Sequence, residues 1–407
     1  MNSSSDRPTR VRVGTTDRVR RRRFRRRRLV LLAAVVVVAL SAAAGVRALA
    51  DGTGSPGARS SAATGAGAAK QAPSAKPSAS GTPASSASPS STVITVGWVG
   101  DTTPGSKYGL APNGGRALFG AMRPLLSKPD LMIANCEGTY STAGPSKCGG
   151  ASANCFSFQA PPSYAKALAW SGIDLVNIAN NHSMDYLTRG LLQTKAALKK
   201  VGVAYAGPPN TVTIMNEDGL RVAVMGFSPY PWSAPLNNIP AAAKLVRRAA
   251  AEANIVIVLM HAGAEGANEI HTPYGSEYAY GEDRGNVRAF SHAMINAGAD
   301  LVFGSGPHVI RGIERYKNHL IAYSLGNFAG WGNFGLGGNL SLSGLLTVRI
   351  DGTGRILGGR WQSLYVARPG VPRVDGANTS AHLVSSLSAG DFAHTYRLDS
   401  SGNFTGK

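Results

Sequence analysis

The sequence predicts an α/β fold in which a mixed pair of β-sheets is flanked by helices. Strand-like and helix-like stretches alternate from Val93 onward, which is the pattern of this class. Short polar clusters follow the apolar, β-prone stretches, as expected where parallel strands end at one shared edge. After His308, strand-like stretches follow one another directly, and this favours two mixed sheets over one doubly wound sheet.

The chain begins with an arginine-rich segment followed by a long apolar run. Twelve arginines lie between Arg7 and Arg28, and residues 29–46 contain no charge. Such a run is close to the roughly 18–20 residues that cross a bilayer. We expect a transmembrane signal-anchor at residues 29–50, with residues 1–28 cytoplasmic and the rest extracellular. A signal peptide cleaved after Ala50 remains the alternative, because Ala48-Leu49-Ala50 has the small-x-small pattern of a cleavage site, and the protein would then be secreted.

The composition changes twice after this run. Residues 51–91 are almost entirely Ala, Ser, Gly, Pro and Thr, which predicts a disordered linker. The whole chain has a net charge of +20, but residues 92–407 hold 26 basic and 19 acidic residues, a net charge of +7. The high pI therefore reflects the amino-terminal arm, and no nucleic-acid partner is predicted. We expect the folded domain at residues 92–368 and a C-terminal tail at 369–407.

The elements of the domain follow from hydrophobic periodicity and stop signals. Strands in the alternating part are expected at residues 93–100, 131–135, 175–179, 222–227, 255–261 and 301–303. Helices are expected between them at residues 116–126, 164–171, 187–201, 241–253 and 287–297. The consecutive strands that follow are expected at residues 310–316, 319–323, 345–350 and 356–364.

Three cysteines occur in the chain, and two of them bracket a small loop. Cys148 and Cys155 are separated by a Gly-, Ser-, Ala- and Asn-rich stretch, and in an oxidising exterior this spacing suits a local disulfide. Cys136 lies at the end of an apolar strand, which favours a buried, inert thiol over a metal ligand or nucleophile.

Five polar clusters end the predicted strands and form the candidate site. They are Gly100-Asp101, Asn135-Cys136-Glu137, Asn180-Asn181-His182, residues 261–265 and residues 304–308. Their Asp, Glu, Asn and His side chains offer the oxygen and nitrogen ligands that Mn, Fe and Zn take. Because side chains alternate along a strand, Asn135 and Glu137 face one way and Cys136 the other.

Individual roles follow from the chemistry of each cluster. An amide carbonyl at Asn181 can bind a metal, and His182 beside it would act as a general acid or as a clamp for a leaving oxygen. Glu265 would either orient His261 or remain a solvated acid. In the last cluster the glycines and proline have no ligand atoms, so His308 is its candidate ligand.

In this order the motifs resemble a known family. They are VGD at 99–101, NCEG at 135–138, ANNHSMDY at 179–186, HAGAE at 261–265, GAD at 298–300, GPHV at 306–309 and YSLGNF at 323–328. Over residues 93–364 the chain resembles the bacterial capsule-synthesis CapA family, also called poly-γ-glutamate biosynthesis proteins. The domain of that family is similar to calcineurin-like metallophosphoesterases.

The resemblance implies a four-layer α/β/β/α sandwich, metallophosphatase-like, with one or two divalent ions (Mn, Fe or Zn). It implies the metal ligands Asp101, Glu137, Asn181, His261 and His308, with His182 as the catalytic residue that assists the leaving group. The supporting residues are Asn135, Asn180, Asp185, Glu265 and Asn327. The chain departs from the metallophosphoesterase pattern at two positions, because Thr103 and Gly306 stand where that pattern has histidines.

The function implied is that of a membrane-anchored extracellular protein in the synthesis, export or attachment of an anionic capsule polymer such as poly-γ-glutamate. Its site would be a metal-dependent hydrolase acting on a phosphoester or an amide-linked polymer, with a polymer-synthesis membrane complex as partner. Two alternatives stay open: a non-catalytic polymer-binding or assembly factor with a degenerate metal site, and a secreted metallophosphodiesterase unrelated to capsule.

Overall fold

The structure is a computed structural model that describes residues 10–12, 91–106, 109–149 and 155–406. The predicted membrane anchor at residues 29–46 and nearly all of the predicted linker lie outside the described residues. Within the described ranges, no helix has both the length and the hydropathy needed to cross a bilayer.

The described residues form strands and helices in the following chain order. The strands are β1 (Arg10–Arg12), β2 (Val93–Thr103), β3 (Leu131–Cys136), β4 (Thr139–Tyr140), β5 (Gln159–Ala160), β6 (Leu175–Asn177), β7 (Ala204–Ala206), β8 (Val212–Glu217), β9 (Leu220–Ser228), β10 (Ala234–Pro235), β11 (Ile255–His261), β12 (Glu277–Ala279), β13 (Glu282–Gly285), β14 (Leu301–Ser305), β15 (Ile313–Tyr316), β16 (His319–Ala322), β17 (Asn327–Gly330), β18 (Leu342–Asp351), β19 (Ile356–Ala367), β20 (Val371–Val374) and β21 (Asn403–Thr405). The helices are α1 (Arg116–Phe119), α2 (Arg123–Leu126), α3 (Ala165–Ser171), α4 (Leu187–Val201), α5 (Ile239–Ala250), α6 (Val287–Asn296) and α7 (Thr379–Asp391), with short 3-10 turns at Pro162–Tyr164 and Gly338–Ser341.

Two large mixed sheets organise the domain. The first sheet has the strand order β1-β8-β9-β11-β14-β16-β15, with β10 paired to β9. The second has the order β20-β19-β18-β2-β3-β6-β7, with β17 paired to β2 and β21 to β19. Strands β9, β11, β14 and β16 run parallel to one another, and so do β2, β3, β6 and β7. Each sheet therefore has an edge where several carboxyl ends meet.

The two sheets pack face to face, and helices cover their outer faces. One core joins residues of both sheets, and in it the rings of Trp98 and Phe303 stack with centroids 5.8 Å apart. Trp98 also donates a hydrogen bond from Nε1 to the carbonyl of Gly304 at 3.2 Å. Helices α5 and α6 pack on the first sheet, and α1 to α4 pack on the second. The layers thus run helix, sheet, sheet, helix.

Most predicted elements of the alternating part are present, and one is corrected. The strand at residues 255–261 and the helix at residues 187–201 have the expected bounds. The single helix expected at residues 116–126 is instead two short helices, α1 and α2. Pro124 explains the break, since a residue without a backbone N–H starts a helix more readily than it continues one.

The domain also extends past the boundary expected at residue 368. Strands β20 and β21 both pair with β19 in the second sheet. Helix α7 contributes Ala381, Val384 and Leu387 to the core between the sheets. The segment treated as a tail from its sequence is therefore part of the folded unit, because its apolar residues are buried there.

Candidate metal centre

The strand ends bring four of the predicted ligands to one place. Asp101 lies in β2, Glu137 directly follows β3, His261 ends β11 and His308 follows β14. The sheet register aligns Asp101 with Asn135, and it aligns His261 with Ser305 on the neighbouring strand. The site therefore joins the facing edges of the two sheets.

Asp101, Glu137 and His308 form the centre of this cluster. Each offers one ligand atom, and these atoms all lie within 4.8 Å of one another. His308 Nδ1 is 3.1 Å from Asp101 Oδ2, and its Nε2 is 3.7 Å from Glu137 Oε1. His261 adjoins the group, with Nε2 3.7 Å from the same Glu137 oxygen. Two carboxylates and two imidazoles are a donor set that suits a divalent transition metal.

The carboxylates of the cluster are buried and incompletely satisfied. Both oxygens of Glu137 and Oδ2 of Asp101 have no hydrogen-bond partner among the described residues. Burial, together with repulsion from Asp101 and Glu265 and against the opposing effect of His308, raises the pKa of Glu137 well above its usual range. Unpaired acids inside a protein are costly. A bound cation would remove that cost, so these residues fit a metal ion.

Asn135 connects the ligands. Its Nδ2 donates to Asp101 Oδ1 at 2.8 Å and lies 3.1 Å from His261 Nδ1. Its Oδ1 accepts a hydrogen bond from Asn177 Nδ2 at 3.0 Å, which sets the orientation of the amide. The role of Asn177 was not predicted. Its signal in the sequence was a polar residue inside an otherwise apolar strand.

His308 is held in an unusual backbone conformation. Its φ is 63°, in the left-handed region that residues with a side chain rarely adopt. Its Nδ1 lies 3.0 Å from Asn327 Oδ1, and Asn327 in turn donates to the carbonyl of Leu340. Burial opposes the charged form, but Glu137 and Asp101 outweigh it and raise the pKa of His308 to about 10. The ring is therefore drawn toward the two carboxylates.

The pKa of His261 is shifted in the opposite direction to that of His308. Burial, with repulsion from Arg284 and His308, holds the pKa of His261 well below its usual value. Its Nδ1 also lies 3.3 Å from Ser305 Oγ. A neutral imidazole is the form that binds a metal, so His261 is ready to act as a ligand without losing a proton.

His182 is positioned by its own set of contacts. Its Nδ1 lies 2.9 Å from Asp185 Oδ2. Asp185 also pairs with Lys147 at 2.7 Å and accepts a hydrogen bond from the backbone N–H of Phe158. Asn180 Oδ1 accepts from the backbone N–H of His182, and its Nδ2 donates to the carbonyl of Cys136. The predicted supporting residues Asp185 and Asn180 thus fix the ring and the backbone of His182.

Asn181 follows a different pattern from the other predicted ligands. Its Oδ1 is buried and has no hydrogen-bond partner among the residues described. Its backbone carbonyl accepts a hydrogen bond from Lys147 Nζ at 3.3 Å. The unsatisfied amide oxygen has room for a ligand, and the role of Asn181 as a metal ligand stays a prediction.

The interpretation of Glu265 needs correction. It neither orients His261 nor lies free in solvent, because its Oε1 is 2.6 Å from Arg284 Nη1. Its Oε2 lies 3.7 Å from His308 Nε2. Arg284 comes from the short strand β13 and was not predicted, since nothing in its local sequence distinguishes it from a surface arginine. Arg284 forms an ion pair with the Glu265 carboxylate, which the sequence prediction had paired with His261.

The cysteines are outside the ligand set. Burial, with repulsion from Glu137, raises the pKa of the Cys136 thiol to about 12, so the buried, inert thiol favoured by the sequence matches its environment. Cys148 and Cys155 form a disulfide, the pairing expected from their spacing. Lys147, beside that bridge, makes the ion pair with Asp185, which connects the loop to the His182 region.

Comparisons with known proteins show which family the chain resembles. A family model described as "Bacterial capsule synthesis protein PGA_cap" matches residues 95–330. Capsule biosynthesis protein CapA of Bacillus anthracis is 30% identical over 191 residues, which cover 41% of this chain and 43% of that protein. PGA biosynthesis protein CapA of Bacillus subtilis is 28% identical over 261 residues, covering 59% and 64%. The chain therefore spans less than two thirds of the length of these relatives.

Among solved structures, the NAD nucleotidase of Haemophilus influenzae matches with a TM-score of 0.37 and 13% identity over 73% of this chain and 56% of that one.

Proposed function

Because the chain belongs to the bacterial capsule synthesis protein PGA_cap family, we propose that it acts in the synthesis, export or attachment of an anionic capsule polymer. Poly-γ-glutamate is the example that the name of the Bacillus subtilis relative suggests. The match to that family confirms the resemblance drawn from the sequence motifs. The polymer, and a membrane complex that makes it, are the proposed partners.

The proposed site is a metal-dependent hydrolase centre, and one observation carries it. Glu137 is buried, and neither of its carboxylate oxygens has a hydrogen-bond partner among the described residues. It offers a ligand atom within 4.8 Å of those of Asp101 and His308. Asp101, Glu137, His261 and His308 would hold a divalent cation, and Asn181 offers a further oxygen. Mn, Fe and Zn all suit this mixture of carboxylate and imidazole.

A divalent ion at such a site supplies a Lewis acid for a phosphoryl or acyl group and an activated water. The remaining roles belong to the side chains of this protein. Asn135 holds Asp101 by a hydrogen bond, and His261 stays neutral because it is buried. Asp185 holds Nδ1 of His182 and so fixes the ring from which a proton would pass to a leaving oxygen.

The proposal places the domain outside the cell on an amino-terminal membrane anchor. Its support is the uncharged run at residues 29–46 with twelve arginines before it, since positive charge stays on the cytoplasmic side. The pairing of β1 with β8 in the first sheet speaks against it, because a paired strand lies on the same side of a membrane as its sheet. Protease added to intact cells is expected to remove the domain and to leave a short membrane-bound fragment. A chain released to the medium and cleaved after Ala50 would instead support the signal peptide.

The metal site is tested by changing Glu137. The purified full-length chain is expected to retain a divalent transition metal after gel filtration, and Glu137→Gln is expected to lose it because one of the central carboxylates becomes neutral. Hydrolysis of a phosphodiester and cell-surface polymer are measured on the same variants. Glu252→Gln, which alters an exposed acid shortly after α5, is the control and should match the wild type. A metal-free wild-type chain would refute the proposed hydrolase centre.

A non-catalytic assembly factor is the second candidate, and Thr103 and Gly306 favour it. Neither has an imidazole, and Thr103 Oγ1 is buried without a hydrogen-bond partner in the described part of the chain. The two candidates differ in one result. If Glu137→Gln removes the metal but leaves polymer amount and attachment unchanged, the protein acts without hydrolysis.

A further inference from the structure

Arg284 is a buried cation inside the candidate metal centre. Its side chain is only 1% exposed, and its Nη1 contacts Glu265 at 2.6 Å and the hydroxyl of Tyr230 at 3.0 Å. Its other donors are less occupied. Nη2 has a long 3.5 Å contact with His261 Nε2, and Nε has no hydrogen-bond partner among the described residues. A buried guanidinium with unused donors is costly unless a ligand completes it.

Gly306 provides the space for this guanidinium. A Cβ atom on Gly306 would lie 3.2 Å from Arg284 Nη2 and 3.0 Å from both the backbone N and O of Ala262. The φ of Gly306 is +114°, which also disfavours a side chain. Any larger residue at position 306 would therefore press on the arginine. The absence of a side chain at Gly306 therefore leaves room for the guanidinium of Arg284.

The geometry of the site provides ligands for one divalent ion. Asp101, Glu137 and His308 offer ligand atoms that all lie within 4.8 Å of one another. Thr103 and Gly306 have no imidazole, and the guanidinium of Arg284 lies 3.5 Å from His261 Nε2. A second divalent ion beside that guanidinium would be repelled by its charge.

We propose that Arg284 is the second cationic group of this site, beside the single divalent ion that Asp101, Glu137, His261 and His308 would hold. The guanidinium lies next to His261, at the position that a side chain on residue 306 would otherwise reach. Its Nε, together with Nη2, which has only the long contact with His261, binds an oxygen of the anionic group on which the site acts, and a guanidinium suits phosphoryl or carboxylate oxygens. This inference rests on the proposed metal-dependent function and specifies how that site binds its anion.

The number of bound ions provides the first test. The full-length chain, stripped with chelator and titrated with Mn²⁺ in a calorimeter, is expected to bind one ion at this site, and elemental analysis after gel filtration checks the count. Two ions would overturn the inference and leave the proposed metal site intact. No bound ion would overturn both.

Inorganic phosphate is the probe for the arginine. Arg284→Met in the Mn²⁺-loaded chain is expected to weaken phosphate binding by about tenfold or more, because a charge-assisted hydrogen bond is lost. The ion count should remain one. Arg284→Lys, which keeps the charge but not the fork of donors, should show a smaller loss. Unchanged phosphate affinity in Arg284→Met, or no phosphate binding by the loaded wild-type chain, would overturn the inference.

Arg311 offers a matched control. It is also a fully buried arginine, but both terminal nitrogens are paired with Glu277, at 2.9 and 2.6 Å. Arg311→Met should lower stability as Arg284→Met does, yet leave phosphate affinity unchanged. Equal losses of phosphate binding in the two variants would show that the effect is general destabilisation, and the inference would fail.

Discussion

Two buried acidic residues of the site differ in the group that compensates their charge. Glu265 has Arg284 as a partner 2.6 Å away. Glu137 is buried without a hydrogen-bond partner in the described part of the chain, and its nearest charged contacts are imidazoles of His261 and His308 at 3.7 Å. The first arrangement is a buried ion pair, which is strongly destabilised if one partner is removed. The second is a carboxylate whose oxygens a bound metal ion would satisfy. The contrast separates a structural acid from a ligand, although the two side chains lie in the same site.

The stability of the protein is expected to depend on pH through the buried residue Asp300. Burial, with repulsion from Asp351 and against a hydrogen bond from the backbone N–H of Val256, raises the pKa of Asp300 to about 7. His319 Nδ1 lies 3.8 Å from Asp300 Oδ1. The folded chain therefore binds a proton here at pH values where the unfolded chain does not. Stability gained at this residue rises as pH falls from about 7 toward the ordinary aspartate value near 4.

The measurement is urea unfolding of the wild type and Asp300→Asn at several pH values. Between about pH 8 and pH 5, the free energy of unfolding of the wild type should rise by on the order of 1–4 kcal/mol relative to that of the variant. The reason is that asparagine has no carboxylate to bind a proton. Parallel stability curves for the two proteins would contradict the raised pKa.

At the scale of single elements, the strand ends decide where the ligands lie. The register pairs Asp101 of β2 with Asn327 of β17 as well as with Asn135 of β3. The amide of Asn135 donates to the Asp101 carboxylate, and the amide of Asn327 contacts His308. The expected side-chain alternation along β3 also agrees with the contacts of Asn135 and with the burial of Cys136. Strand pairing thus positions most of the site, with register shifts between Val99 and Asp101 and between Asn327 and Ala329.

The disulfide loop gives a prediction for an irregular element. Replacing Cys148 and Cys155 together by Ser should lower the free energy of unfolding by about 2 kcal/mol, as expected for a bridge that closes a short loop. Denaturant unfolding measures the change, and added reductant should reproduce it in the wild type. Because Lys147 adjoins the bridge and pairs with Asp185, hydrolysis should also fall more than metal binding does. Stability equal to that of the wild type would show that the bridge contributes nothing.

At the scale of the whole molecule, the contact between the two sheets holds the site together, because its ligands come from both. Trp98 of the second sheet donates a buried hydrogen bond to Gly304 of the first and stacks on Phe303. Trp98→Phe should lower the free energy of unfolding by about 2–3 kcal/mol, since ring volume is lost and a buried carbonyl loses its donor. Circular dichroism during urea unfolding measures the loss.

Trp170→Phe is the control for this substitution. Trp170 lies on α3 at the outside of the molecule, where it is partly exposed beneath two arginines. Its replacement should cost less than about 1 kcal/mol, as is usual for surface positions. An equal decrease in the free energy of unfolding of the two variants would mean that the contact between the sheets contributes no more to stability than a surface contact.

The sequence by itself determined the α/β class, several element bounds and the placement of Asp101, Glu137, His261 and His308 at strand ends. It could do so because periodicity and strand ends are local properties, and parallel strands always bring their ends to one edge. The same local signals could not assign the partner of Glu265 or the role of Asn177. Nor did they show the packing of residues after 368.

Those features were decided only by the tertiary structure. Arg284 reaches the site from a separate short strand, and the space for its guanidinium exists because Gly306 has no side chain. Whether a buried carboxylate meets a metal or a guanidinium depends on which charges the fold places within a few ångströms, and electrostatic energy in a buried site falls steeply with that distance. Local sequence patterns do not contain those distances, so the ligand types could be predicted but the charge balance of the site could not.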